Sequence, residues 1–96
     1  MAKAYWICFY RSISKPEAVA EYAKLAGPAI QSGGGRFLAR GIAAKTYEAG
    51  IAQRTIVIEF DSVQQATATF EGDAYQAALR VIEGAAERDI RIIEGV

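Results

Sequence analysis

Ala4-Tyr-Trp-Ile-Cys-Phe-Tyr10 is apolar throughout and rich in aromatic and β-branched residues. Such a run is typical of a β-strand that is buried on both faces. Thr55-Ile-Val-Ile-Glu-Phe60 has the same character, interrupted by one charged residue. Strands covered on both sides lie inside a sheet, so we expect these two segments to form its centre.

Two further segments have the pattern of edge strands. Residues 36–44 and 89–94 mix apolar residues with arginine or glutamate, and charged side chains on edge strands prevent pairing with other chains. Residues 47–50 connect the second strand to the third as a hairpin. Two apolar segments for the centre and two charged segments for the edges together predict a four-stranded sheet.

Helices are predicted between these strands. Ser14 and Glu17 form a capping box that opens a helix reaching to about residue 30. Pro28 predicts a kink or an early end in that helix, and the run of three glycines after it is expected to end the helix. Ser62 opens a second helix with another capping box, and Asp73 is expected to cap a further helical segment.

The resulting order, β-α-β-β-α-β, is the ferredoxin-like arrangement. We therefore predict one α+β domain over residues 1–96, an antiparallel sheet in the strand order 4-1-3-2 and helices on one face only. The other face also carries apolar side chains, which a monomer would leave in water. A second protomer packed sheet to sheet would cover them and give a dimeric α/β barrel, so we expect a homodimer.

Histidine is absent from the 96 residues, and there is one cysteine, Cys8. Serine or cysteine nucleophiles activated by histidine cannot be built from this chain. Histidine-ligated haem and the usual zinc sites are excluded for the same reason. We expect neither a metal nor a cofactor.

Eleven basic and eleven acidic residues give a formal net charge of zero. Nucleic-acid binding needs clustered positive charge, so no nucleic-acid partner is expected. No apolar run reaches the ~18 residues that span a bilayer, and the N-terminus has no secretion signal. The default expectation is a cytoplasmic protein without a membrane partner.

Arg40 and Glu59 are charged residues within strands that otherwise look buried, and such groups need a partner. Because side chains alternate along a strand, a regular hairpin places Leu38, Arg40, Val57 and Glu59 on the barrel face, with Arg40 and Glu59 as neighbours. A slip of one residue would separate the pair.

These four residues and Trp6 are the predicted ligand-binding residues, because a few polar groups in an apolar cavity are typical of small-molecule sites. Arg40 and Glu59 are also the catalytic candidates: the arginine would hold a carboxylate or enolate oxygen, and the glutamate would act as a base or fix the arginine. The alternative is an ion pair at a dimer interface without chemistry. For Trp6, a core position is the alternative.

Several motifs make the chain resemble the domain of unknown function 1330 family (DUF1330). The most specific are Gly34-Gly-Arg-Phe-Leu-Ala-Arg-Gly41 and Ile58-Glu-Phe60; Tyr5-Trp-Ile7, Pro16-Glu17, Tyr75-Gln76 and Asp89-Ile-Arg-Ile-Ile-Glu-Gly95 extend the likeness over nearly the whole chain. The resemblance implies a protomer of the dimeric α/β-barrel superfamily. It implies no established reaction, although that superfamily includes cofactor-independent monooxygenases and muconolactone-type isomerases.

The functional expectation is a protein that binds a small apolar organic acid or enol between sheet and helices. Whether it is an enzyme stays open at this point: a cofactor-independent reaction of the monooxygenase or isomerase type is one hypothesis. The alternatives are a non-catalytic binding or sensor protein of the same shape and a purely structural homodimer.

Overall fold

The computed structural model describes residues 2–96. The strands are β1 (Ala4–Ile13), β2 (Arg36–Ile42), β3 (Arg54–Phe60) and β4 (Ala86–Glu94), and the helices are α1 (Pro16–Ser32), α2 (Val63–Glu71) and α3 (Asp73–Ile82). The four strands form one antiparallel sheet in the order β2-β3-β1-β4. The predicted fold and strand order are confirmed.

The core lies between the helices and one face of the sheet. Alternate residues of the two central strands are buried there: Trp6, Cys8, Tyr10, Ile56, Ile58 and Phe60. Trp6 is only 1% exposed, stacks on Phe60 with ring centroids 6.0 Å apart and meets the edge of Tyr75 at 4.8 Å. Trp6 therefore lies on the helix side of β1, in the core.

The start of α1 differs from the prediction. Lys15 is the N-cap residue, without a capping side chain, and the Ser14 hydroxyl instead donates to the carbonyl of Ala85 at 3.1 Å. This bond ties the start of α1 to the residue before β4. The capping box at Ser14 and Glu17 is therefore wrong.

The other helix boundaries follow the prediction more closely. Ser62 accepts a hydrogen bond from the Gln65 amide at 3.1 Å, which confirms Ser62 as the N-cap residue of α2. Gly72, one residue before Asp73, is the N-cap of α3. Pro28 lies inside α1, which continues to Ser32. Within the described residues, none of the helices is both long and apolar enough to cross a membrane.

The glycines after α1 are required by close packing. A Cβ atom on Gly33 would collide with the side chain of Thr69 in α2. Gly34 has a φ of +96°, and a Cβ atom there would collide with a glutamine side chain. At Gly35 a Cβ would lie 2.6 Å from Ile30 Cγ2 and 2.8 Å from Phe60 Cζ. The turn therefore packs directly against α2 and the core.

The same substitution at two glycines should have opposite effects. Gly41→Ala, inside β2, adds a Cβ that meets nothing within 4 Å and should raise the free energy of unfolding by about 0.5–1 kcal/mol. Gly35→Ala forces Ile30 and Phe60 apart and should lower it by about 1–3 kcal/mol. Urea denaturation of both variants measures the difference; equal effects would contradict the packing described for the turn.

Candidate functional site

A β-bulge in β2 decides on which face of the sheet Arg40 lies. Phe37 pairs with Ile58 and Arg40 with Ile56, so Leu38 is the extra residue between them. Two residues on the bulged strand then oppose one on its partner, and the alternation of faces shifts after that point. Arg40 consequently lies on the same side as Ile56, towards the helices.

Glu59 lies on the opposite side of the sheet, which we call the open face (Tyr5, Ile7, Phe9, Val57 and Glu59, with their neighbours on the edge strands). Its carboxylate accepts a hydrogen bond from Arg36 Nε at 3.0 Å and one from the Tyr5 hydroxyl at 3.3 Å. The prediction that Arg40 and Glu59 are neighbours on one face is therefore wrong, because the bulge introduces the one-residue slip that separates them.

The five predicted ligand-binding residues are thus divided between two places. Trp6 and Arg40 line a cleft under α1. Val57 and Glu59 lie on the open face, as the alternation predicted, and Leu38 is exposed at the bulge. The structure does not bring the five together, and a role for any of them in ligand binding stays a prediction.

The cleft opens between α1 and the helix side of β1, β2 and β3. Its floor includes Trp6, Cys8, Ile56 and Ile58, and its wall includes Tyr22, Ala26 and Ile30 of α1. The free volume is about 40 Å³, which is room for about three water molecules. A ligand the size of one ring therefore requires the mouth to widen.

Two arginines line the mouth of this apolar cleft, Arg40 and Arg54. Arg40 stacks on the ring of Phe37, with its guanidinium carbon 4.7 Å from the ring centroid, which leaves the edges of the guanidinium free to donate. Within residues 2–96, neither Arg40 nor Arg54 forms an ion pair within 4.0 Å. The mouth therefore carries positive charge without a carboxylate partner.

A third arginine lies beside the inner part of the cleft. Arg88 of β4 donates to the Tyr22 hydroxyl at 3.0 Å, and its guanidinium carbon is 5.5 Å from the ring centroid of Tyr10 and 4.8 Å from that of Tyr22. The Tyr22 hydroxyl also lies 2.6 Å from the Tyr75 hydroxyl. No acidic side chain of the described chain forms an ion pair with Arg88.

Burial keeps the thiol and the phenol groups in and beside the cleft in their neutral forms. It raises the pKa of the Cys8 thiol, and the nearby Arg88 charge only partly offsets this effect. Burial likewise raises the pKa of Tyr10 and of Tyr75. Neither Cys8 nor Tyr10 is therefore a base at neutral pH.

Cys8 should be unreactive in the folded protein. It is 3% exposed, and a thiol with a raised pKa is a poor nucleophile. We expect native Cys8 to react with a water-soluble disulfide reagent at least about a hundredfold more slowly than in urea, because reaction requires opening of the core. The absorbance of the thiolate that the reagent releases measures both rates. If the native protein reacted as fast as the unfolded protein, Cys8 would lie outside the core.

The cleft therefore combines apolar surface, fixed positive charges and hydroxyl groups. None of its lining residues is a carboxylate, and the described residues include no group of three potential ligand side chains placed to hold a metal ion. Arginine and hydroxyl groups beside apolar surface are chemically suited to an organic anion and to negative charge on oxygen. The cleft does not supply a carboxylate base, the role considered for Glu59.

Sequence reasoning missed Arg54, Tyr22 and Arg88 as site residues. Arg54 has the same strand parity as Ile56, which is a signal that could have been used. Arg88 lies before the strand predicted at 89–94, whereas β4 begins at Ala86 and pairs Arg88 with Tyr10. Tyr22 lies within the helix predicted to reach residue 30, but no local pattern distinguishes a core tyrosine from one that borders a cleft.

Solved structures with the same fold are distant in sequence. A protein of unknown function from Rhodopseudomonas palustris is 15% identical, with a TM-score of 0.77; the match covers 99% of this chain and 83% of that one. A dimeric ferredoxin-like protein of unknown function from Thermobifida fusca is 18% identical, with a TM-score of 0.68 and coverages of 97% and 91%. A protein from Nitrosomonas europaea, named for antibiotic biosynthesis monooxygenase, is 17% identical, with a TM-score of 0.62 and coverages of 100% and 99%.

At these identities the structural matches establish the fold alone. No curated protein matches the chain. The family model named "Domain of unknown function (DUF1330)" matches residues 3–96, in agreement with the motifs of the second strand and the Ile-Glu-Phe segment. The chain belongs to the DUF1330 family.

Proposed function

We propose that this protein binds a small apolar organic acid, or its enol, in the cleft between α1 and the sheet. The observation that carries the proposal is the pair of arginines at the mouth, Arg40 and Arg54, which have no carboxylate partner in residues 2–96. An arginine that is not neutralised within the protein can bind a ligand carboxylate with two parallel hydrogen bonds. The apolar floor would hold the rest of the molecule.

Benzoate and benzamide are suitable probes, because they differ in charge and little in shape. Isothermal titration should show that benzoate binds more tightly, and the double variant Arg40→Gln/Arg54→Gln should lose about tenfold or more in benzoate affinity. Arg91→Gln is the matched control, since Arg91 already pairs with Asp89 at 2.8 Å. Equal affinity for the two probes, or unchanged binding by the double variant, would refute the anion site.

A catalytic role is the second candidate, favoured by the positive charge around the cleft. Arginines and hydroxyl groups in a site with little water stabilise an enolate or phenolate oxygen, and the Nitrosomonas europaea structure carries a monooxygenase name. Because no carboxylate lines the cleft, the substrate would have to be acidic enough to ionise without one. Oxygen consumption with an enolisable acid, measured against the double arginine variant, separates this role from binding alone.

We also propose that two protomers associate through the open face. Phe9 and Ile93 are 37% and 58% exposed on it, and Ile7 and Val57 pair at its centre. Exposed apolar surface of this kind is typical of an interface. The Thermobifida fusca structure with the same fold is described as dimeric, which supports a homodimer.

A further inference from the structure

The hydroxyl of Tyr22 has two neighbours inside the protein. Arg88 donates to it at 3.0 Å, and the Tyr75 hydroxyl lies 2.6 Å away in a buried contact in which either oxygen could be the donor. The direction of that second bond decides where the Tyr22 proton points.

Tyr75 resolves the direction. It is 1% exposed, and among the described residues the Tyr22 oxygen is the only acceptor for its proton, since the nearby Arg88 can only donate. If Tyr22 were the donor, the Tyr75 proton would be buried without an acceptor, and a buried unsatisfied donor is strongly disfavoured. Tyr75 is therefore the donor, because Tyr22 lines the cleft, where a water or a ligand can accept its proton, and Tyr75 does not.

Both acceptor positions of the Tyr22 oxygen are then occupied, one by Arg88 and one by Tyr75. The proton of Tyr22 has no acceptor within residues 2–96. Tyr22 lines the cleft, so an oxygen atom of a bound molecule can accept this proton. Two donors to the same oxygen polarise its O–H bond, and the charge of Arg88 strengthens the hydrogen bond that Tyr22 makes in turn.

We propose that Tyr22 donates a hydrogen bond to a second oxygen of the ligand, which narrows the ligand class to organic acids that also carry a phenolate or enolate oxygen. This inference rests on the proposed function, in which Arg40 and Arg54 hold the carboxylate. Arg40 is on β2 and Arg88 on β4, the two opposite edges of the sheet, so the apolar middle of the site has polar groups at both ends. Arg88 and Tyr75 act through Tyr22 and are positioning residues.

A pair of probes tests the inference. 4-Hydroxy-3-nitrobenzoate carries the second oxygen and changes colour when its phenol ionises, whereas 3-nitrobenzoate lacks that oxygen. The wild-type protein should bind the hydroxylated probe at least about tenfold more tightly, and binding should shift the ionisation of its phenol to lower pH. Tyr22→Phe should abolish the preference and the shift, so that the affinity for the hydroxylated probe falls to about that for 3-nitrobenzoate.

Tyr5→Phe is the matched control, because it also removes a tyrosine hydroxyl, but one on the open face that donates to Glu59. Both probes should bind this variant as they bind the wild-type protein. Tyr75→Phe should reduce the preference partly, through loss of the bond that orients Tyr22. Equal binding of both probes by wild-type protein would overturn the inference even if a variant failed to fold, and it would leave the anion site standing. If neither probe bound, the proposed function would fail and this inference with it.

Discussion

Trp6→Ala is expected to lower the free energy of unfolding by about 3–5 kcal/mol, which is the usual cost of deleting a buried tryptophan. Trp6 is 1% exposed and lies against Phe60, Phe70 and Tyr75, so alanine would leave a cavity lined by three rings. Since domains of this size have a total stability of about 5–15 kcal/mol, a large part of the population would unfold on mild heating. Urea denaturation followed by circular dichroism measures the loss.

Tyr47→Ala provides the control for this experiment. Tyr47 is an aromatic residue of the connection between β2 and β3 and is 76% exposed, so its truncation should change stability by no more than about 0.5 kcal/mol. A loss below about 1 kcal/mol for Trp6→Ala would mean that the tryptophan is not central to the core. In that case the cleft would not have the floor described above.

The elements of the fold could be predicted because their signals are local. The apolar runs of β1 and β3 and the cap at Ser62 depend on residues within a few positions of each other. The extra length of β1 and β4 was missed, since Ser12, Glu87 and Arg88 are polar and join the sheet only through long-range pairing. The true partner of Ser14, the carbonyl of Ala85, is likewise distant in sequence.

The candidate site depends on one residue that no pattern marked. Strict alternation along β2 places Arg40 with Leu38, whereas the bulge at Leu38 turns Arg40 towards the helices. Glu59 kept its predicted face because β3 is regular. The two charges that suggested a site are real features of two different surfaces: Arg40 belongs to the cleft, and Glu59 pairs with Arg36 on the open face.

Val57→Asp should dissociate the proposed homodimer without unfolding the protomer. Val57 pairs with Ile7 and Ala39 on the open face and is half-buried in the single chain, where water could still solvate an aspartate. In an interface formed by two open faces the same carboxylate would lose that water and face apolar side chains. A buried charge without a partner costs about 3–5 kcal/mol, and each protomer contributes one, so the dissociation constant should rise by at least about a hundredfold.

Sedimentation equilibrium over a range of concentrations measures this shift, and circular dichroism checks that the protomer keeps its fold. Val57→Thr is the control: it has the shape of valine and no charge, and it should change the dissociation constant far less than aspartate does. A wild-type protein that is monomeric at micromolar concentration would refute the homodimer. A Val57→Asp variant that associates as tightly as wild type would refute the open face as the interface, because two sheets packed on this surface could not leave the new charge in water.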